Sequence, residues 1–210
     1  MCIRCDTILQ NESKKRRHFK VDSIRSNWDE LYAKCNMCTA CPLHETKTNT
    51  VFGKGCKTAD ILFVGEAPGE KEDLQGEPFV GASGKLLDKY FEAVDLTLDD
   101  IYVANILKCR PPKNRDPLPA EEDACIGYLR EQFKLIEPKM IVCLGRIAAM
   151  RLIKPDFKIT AEHGKWFKKG GYLFTAVYHP SALLRDPRKK ADMLADFAEI
   201  RRVIDNGYSL

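Results

Sequence analysis

Long hydrophobic runs are missing from this 210-residue chain. No apolar stretch approaches the roughly 18 residues of a membrane-spanning helix, so a transmembrane helix is excluded from the reading. The first residues are polar and charged where a secretory signal would be apolar, and the expected address is cytoplasmic. Internal repeats and low-complexity segments are also missing, which removes solenoids and tethers. Charge of one sign is not in large excess: 34 Lys and Arg stand against 30 Asp and Glu, for a net of +4. That balance alone does not demand a nucleic-acid partner.

What is present is enough for one sizeable domain with a single core. Hydrophobic residues make up 44% and charged residues 30%, an ordinary globular composition. The unusual item is cysteine. Nine of them without a secretion signal argue against a disulfide framework, and for metal ligation or reduced buried thiols.

Residues 1–27 read as a basic tail, with Cys2, Cys5 and the run Lys14-Lys15-Arg16-Arg17. Residues 28–210 read as the folded domain. A helix capped by Ser26 or Asn27 runs through Lys34. Strands are predicted at Ile61–Val64, Ile101–Leu107 and Met140–Leu144. Helical spacing marks Ser83–Val94, Pro119–Ile136 and Arg146–Ile153. Lys165–Lys169 pairs through Gly170-Gly171 with Tyr172–Tyr178 as a hairpin, and a last helix follows Asp186-Pro187. Strand and helix alternate, so the expected fold is α/β in three layers. Its centre is a mostly parallel four-stranded sheet with helices on both faces.

Two predicted strands end in chemistry. Ile61–Val64 runs into Gly65-Glu66-Ala67-Pro68-Gly69 and then a charged stretch that includes Glu72. Tyr172–Tyr178 runs into His179-Pro180-Ser181-Ala182-Leu183-Leu184-Arg185. Ligands of open α/β sheets sit outside the carboxyl ends of the strands. Gly81-Ala82-Ser83-Gly84-Lys85 looks like a phosphate loop but fails the Walker spacing, so nucleotide hydrolysis is rejected.

The cysteines form a constellation of their own. Cys35, Cys38 and Cys41 are spaced by two residues in a loop; Cys109 follows a predicted strand and Cys125 lies on the next helix. Zinc and an iron–sulfur cluster both accept four thiolates, and spacing does not choose between them. Cys143, inside an apolar strand, reads as a core thiol.

The segments CTACPL, VFGKG, LFVGEAPGEKED, PFVGASGKLLD, YVANILKCRPPKNRDPLP, IVCLG, GKW and HPSALLR resemble, in this order, the family-4 uracil-DNA glycosylases, the iron–sulfur branch. The resemblance spans about residues 28–200. It implies a [4Fe–4S] cluster on Cys38, Cys41, Cys109 and Cys125, with Cys35 extra and the cluster structural. It implies that Phe79 stacks on a uracil flipped out of DNA and that His179 binds uracil O2. An amide at Asn105 suits uracil N3–H and O4. Glu66 would orient or deprotonate the attacking water, and Glu72 would support the pocket. Ala67, with Pro68 and Gly69, would let the backbone approach the base.

Ser83, Lys85, Ser181 and Arg185 would hold phosphates, Lys189 and Lys190 would extend that basic edge, and Leu183 or Leu184 would fill the space the base leaves. The expected activity is monofunctional hydrolysis of the uracil–deoxyribose bond, with uracil-containing DNA as partner, no membrane, a sliding clamp as a further partner, and a monomeric chain. No lysine is placed for a Schiff base, and the Arg-rich insertion of a covalently trapping sister branch is absent after KCRPP. The alternatives are a glycosylase for other deaminated bases and a DNA-binding iron–sulfur protein of the same fold.

Overall fold

The computed structural model describes residues 27–210. Apart from Asn27, the predicted basic tail lies outside the described residues. A first helix, α1, is described over residues 27–36. It is followed by α2 (Leu43–Thr46), β1 (Lys54–Gly55), β2 (Ile61–Gly65), α3 (Glu70–Gln75), α4 (Ala82–Ala93) and β3 (Ile101–Asn105). The second half runs α5 (Pro119–Ile136), β4 (Met140–Leu144), α6 (Arg146–Leu152), α7 (Ile159–Glu162), β5 (Phe167–Lys169), β6 (Tyr172–Val177), α8 (Pro180–Arg185) and α9 (Lys190–Asp205). Among the described residues no helix is long and apolar enough to cross a membrane.

The sheet has six strands in the order β1-β3-β2-β4-β6-β5. The four central strands are parallel, as predicted. The short strands β1 and β5 are added antiparallel at either edge. The hairpin into β6 was legible from Gly170-Gly171. The two-residue β1 was not, because two residues carry no period.

Every residue of β2, β3 and β4 is buried. Such strands read as continuous apolar runs because helices cover both faces. Successive side chains still divide between the faces. Leu62, Val64, Tyr102, Ala104, Ile141 and Cys143 pack with α1, α5 and α6 through Trp28, Leu129 and Ala148. Ile61, Phe63, Ile101, Val103, Met140 and Val142 pack with α4 and α9 through Leu87, Phe91 and Phe197. Cys143 is therefore a core thiol.

Register aligns the working edge. Gly65 stands opposite Asn105, and Leu144 opposite Val177, so the parallel strands finish together. Backbone bonds from Ile106 to Gly65 and from Leu107 to Glu66, both 3.0 Å, extend the pairing past the strand ends. Glu66 is thereby fixed at the lip of the sheet.

Phe63 is fully buried, with Phe91 at 4.9 Å edge-on and Phe197 stacked at 6.0 Å. Phe63→Ala is expected to lower the unfolding free energy by about 3–5 kcal/mol in urea denaturation; a loss near zero would contradict this packing.

Candidate active site

A cleft of about 810 Å³ opens along the carboxyl edge of the parallel strands. Each central strand delivers part of its lining: Glu66 follows β2, Asn105 ends β3, Gly145 and Arg146 follow β4, and Tyr178 and His179 follow β6.

Asn105 is only 2% exposed, and its Oδ1 is buried without a hydrogen-bond partner. Buried polar atoms are rarely left so, and an orphaned acceptor facing a cleft is a place for a ligand's donor. Gly65 makes this possible. A Cβ there would crowd the Asn105 Oδ1 and would stand 2.8 Å from Phe79 Cζ.

Phe79 itself is held in the left-handed region, at φ 56°, which is strained for a bulky side chain. Two features hold it. Gly84 presents no Cβ to the Phe79 carbonyl packed against it. Glu72, on α3, accepts the Val80 N–H at 3.0 Å and the Gly81 N–H at 2.8 Å through Oε1. The Phe79 ring then lies 6.1 Å from the His179 imidazole.

His179 caps α8. Its Nδ1 accepts the Ser181 backbone N–H at 3.2 Å and lies 2.7 Å from the Ser181 hydroxyl. A backbone N–H can only donate, so Nδ1 carries no proton and the neutral ring bears its hydrogen on Nε2. Burial lowers the His179 pKa to about 4, aided by the Arg185 charge and opposed by Glu72. At neutral pH the ring is an uncharged Nε2–H donor. Gly145 (φ 93°) permits its position, since a Cβ there would stand 2.7 Å from the His179 Cβ.

Glu66 moves the other way. Burial raises its carboxyl to about 7, with Asp116 adding to the rise and Arg146 reducing it. Asp116 and Arg146, both on the cleft, pair at 2.7 Å. Sequence reasoning missed this pair. It joins the loop before α5 to the first residue of α6, 30 positions apart, a pairing that no local spacing announces.

Ala67, Ser83, Ser181 and Arg185 also line the cleft, whereas Lys85 and Leu184 do not reach it. Lys85 is an exposed side chain in the first turn of α4. Of the two wedge candidates, Leu183 is fully buried and Leu184 is 49% exposed, so only Leu184 is open to a partner. Lys189 lies over the Tyr178 ring and pairs at 3.5 Å with Asp186, while Lys190 is exposed at the start of α9.

A second, small apolar cavity is lined by Cys35, Cys38, Cys41, Cys109 and Cys125, with Leu43, Leu107 and Tyr128. The Lys108 backbone N–H donates to Cys125 Sγ at 3.3 Å. Among the described residues no three His, Cys, Asp or Glu side chains converge on a position for one metal ion. A tetrahedral zinc would draw four sulfurs to about 2.3 Å from one point. Thiols on one cavity are a soft donor set that suits zinc or an iron–sulfur group. Cavity and cleft are joined by Lys108, whose buried Nζ donates to the carbonyls of Asn105 (2.9 Å) and Phe52 (3.2 Å) and to Gln132 Oε1 (2.6 Å).

The imidazole geometry has a direct readout. ¹⁵N NMR of His179 is expected to show the Nε2–H tautomer across neutral pH, with protonation only near pH 4. A midpoint near 6.5, the ordinary value, would overturn the assignment.

The comparisons with known proteins agree with this edge-of-sheet site. The family model described as the uracil DNA glycosylase superfamily matches residues 52–202. The chain is 44% identical over 182 residues to a type-4 uracil-DNA glycosylase of Archaeoglobus fulgidus, covering 82% of this chain and 90% of that protein. It is 42% identical over 192 residues to the type-4 enzyme of Sulfurisphaera tokodaii, covering 87% and 86%. For the type-4 enzyme of Thermotoga maritima the identity is 43% over 153 residues, covering 71% and 79%. The strand-end cleft, the helix-capping histidine and this likeness over most of the chain have one reading: the chain belongs to the uracil DNA glycosylase superfamily, in its type-4 branch.

Proposed function

We propose that this protein is a monofunctional uracil-DNA glycosylase, which hydrolyses the N-glycosidic bond of a flipped-out deoxyuridine and leaves an abasic site for base excision repair. The observation that carries the reading is the buried, unpartnered Oδ1 of Asn105 beside the Phe79 ring. An enzyme working on a base must take it out of the stack, and the slot needs an aromatic face and an edge-reading amide. Uracil N3–H donates to Asn105 Oδ1, and the amide Nδ2 donates to uracil O4. Cytosine offers the reverse pattern and leaves the buried amide unsatisfied, which discriminates strongly.

Bond breaking leaves negative charge on the base and positive charge on the sugar. Neutral His179 donates Nε2–H to uracil O2 as that charge develops. Glu66, as a carboxylate, holds or deprotonates the attacking water and favours the sugar cation. Glu72 acts at one remove: its bonds to Val80 and Gly81 hold the Phe79 loop. Ala67 lies on the cleft beside Glu66, where its small side chain leaves room for the base.

Ser83, Ser181 and Arg185, with Lys85 beyond the cleft, grip backbone phosphates, and Leu184 fills the vacated stack.

Cys38, Cys41, Cys109 and Cys125 would hold a [4Fe–4S] cluster. The five cysteines on one small cavity and the N–H on Cys125 Sγ suit such a group. Glycosidic hydrolysis moves no electrons, so the cluster would supply cross-linking of the loops around α2 and Cys109 to α5. Cys35 is surplus to that set.

On a uracil-containing oligonucleotide, wild type is expected to release uracil, with the strand cut only after alkali. Asn105→Ala and His179→Ala are each expected to lower kcat by about 10²–10³-fold with thermal unfolding little changed. Full activity in either would sink the proposed pocket. The Glu66 carboxylate forms as pH rises, so kcat/KM is expected to climb with a midpoint near 7. Asp116→Asn removes a neighbouring negative charge and should move that midpoint to lower pH; a shift upward would refute the role given to Glu66.

A further inference from the structure

We propose that Cys35 is a reserve ligand of the cysteine cavity, able to take the position of Cys38. The inference rests on the cluster reading above and deepens it. The sequence Cys35-x2-Cys38-x2-Cys41 contains two overlapping Cys-x2-Cys pairs. Either offers a clamp for one edge of a metal centre.

Cys35 is at the end of α1 and only 1% exposed, while Cys38 and Cys41 are partly exposed. Its side chain nevertheless lines the same cavity as Cys38, Cys41, Cys109 and Cys125. Burial alone does not bring a cysteine there. Cys143 is equally buried and packs in the sheet, away from this cavity.

The backbone between the two candidates is a tight turn. The Met37 N–H donates to the Ala33 carbonyl and the Cys38 N–H to the Cys35 carbonyl, both at 3.2 Å. The exchange would thus pass between neighbours on one turn and ask little of the rest of the fold. It is a ligand substitution: the Cys35 thiol gives its proton to solvent, its thiolate binds where the Cys38 thiolate has left, and no electron is transferred. Cys38, the more exposed of the two, is the ligand more open to alkylation or oxidation.

The structural alternative is that Cys35 is only a small hydrophobe filling the end of the core. Iron and acid-labile sulfide per chain, with visible absorbance at about 400 nm, separate the two readings. The proteins to compare, purified without oxygen, are wild type, Cys35→Ser, Cys38→Ser, Cys109→Ser and the Cys35→Ser/Cys38→Ser double variant. Wild type and Cys35→Ser are expected to hold equal iron. Cys38→Ser is expected to keep at least about half of it, and the double variant and Cys109→Ser almost none.

Iron loss in Cys38→Ser as complete as in the double variant, whether that protein is folded or not, overturns the proposal. So does an empty Cys35→Ser, because Cys35 would then be obligatory. Wild type without iron and sulfide would instead overturn the cluster reading itself. That failure is distinct from loss in Cys38→Ser alone.

Discussion

The structure turns on a buried ammonium. Lys108 is 1% exposed, and its three donors meet the Phe52 carbonyl, the Asn105 carbonyl and the Gln132 side chain. Three segments distant in sequence are thereby tied to one point: the approach to β1, the end of β3 and the middle of α5. Removing one of these neutral acceptors would leave a buried donor unmet, which is destabilising. The position of Asn105, and with it the floor of the cleft, is therefore tied to the body of the molecule. The next residue along the chain is Cys109, so the cysteine cavity hangs from the same anchor.

From that floor the cleft separates two titratable groups by environment alone. His179 is pushed down and kept neutral; Glu66 is pushed up to where neutral pH divides its two forms. Burial acts on both, and its sign differs because it always penalises the charged form. Local charges then adjust each group: Arg185 and Glu72 for the histidine, Asp116 and Arg146 for the carboxylate. A fixed neutral donor and an adjustable base are what the proposed departure of an anionic base and attack by water would require.

Much of this was legible in the chain. The limits of α5 and β4 were read to the residue, because Pro119 opens one, Pro138 separates them and Gly145 closes the other. The strand-end placement of Glu66, Asn105 and His179 followed from the apolar runs before them. Short elements were lost: α3 and α8 have too few turns to show a period, and β1 has two residues. A supporting role was expected of Glu72, but its partners were hidden, since they are backbone N–H groups eight and nine positions away. So was the Asp116–Arg146 pair, which only folding brings together. For Leu183 and Leu184 the sequence left a choice that burial decides.

The left-handed backbone of Phe79 has a consequence for how the protein divides its free energy. A conformation of that kind costs about 1–3 kcal/mol, and here it is sustained by Glu72 and Gly84 within the protein itself. In the proposed pocket the ring is thus set beforehand, and an incoming base would have no loop to order. Folding stability is exchanged for readiness: a sequence that relaxed this loop would make a sturdier molecule and a poorer receptor.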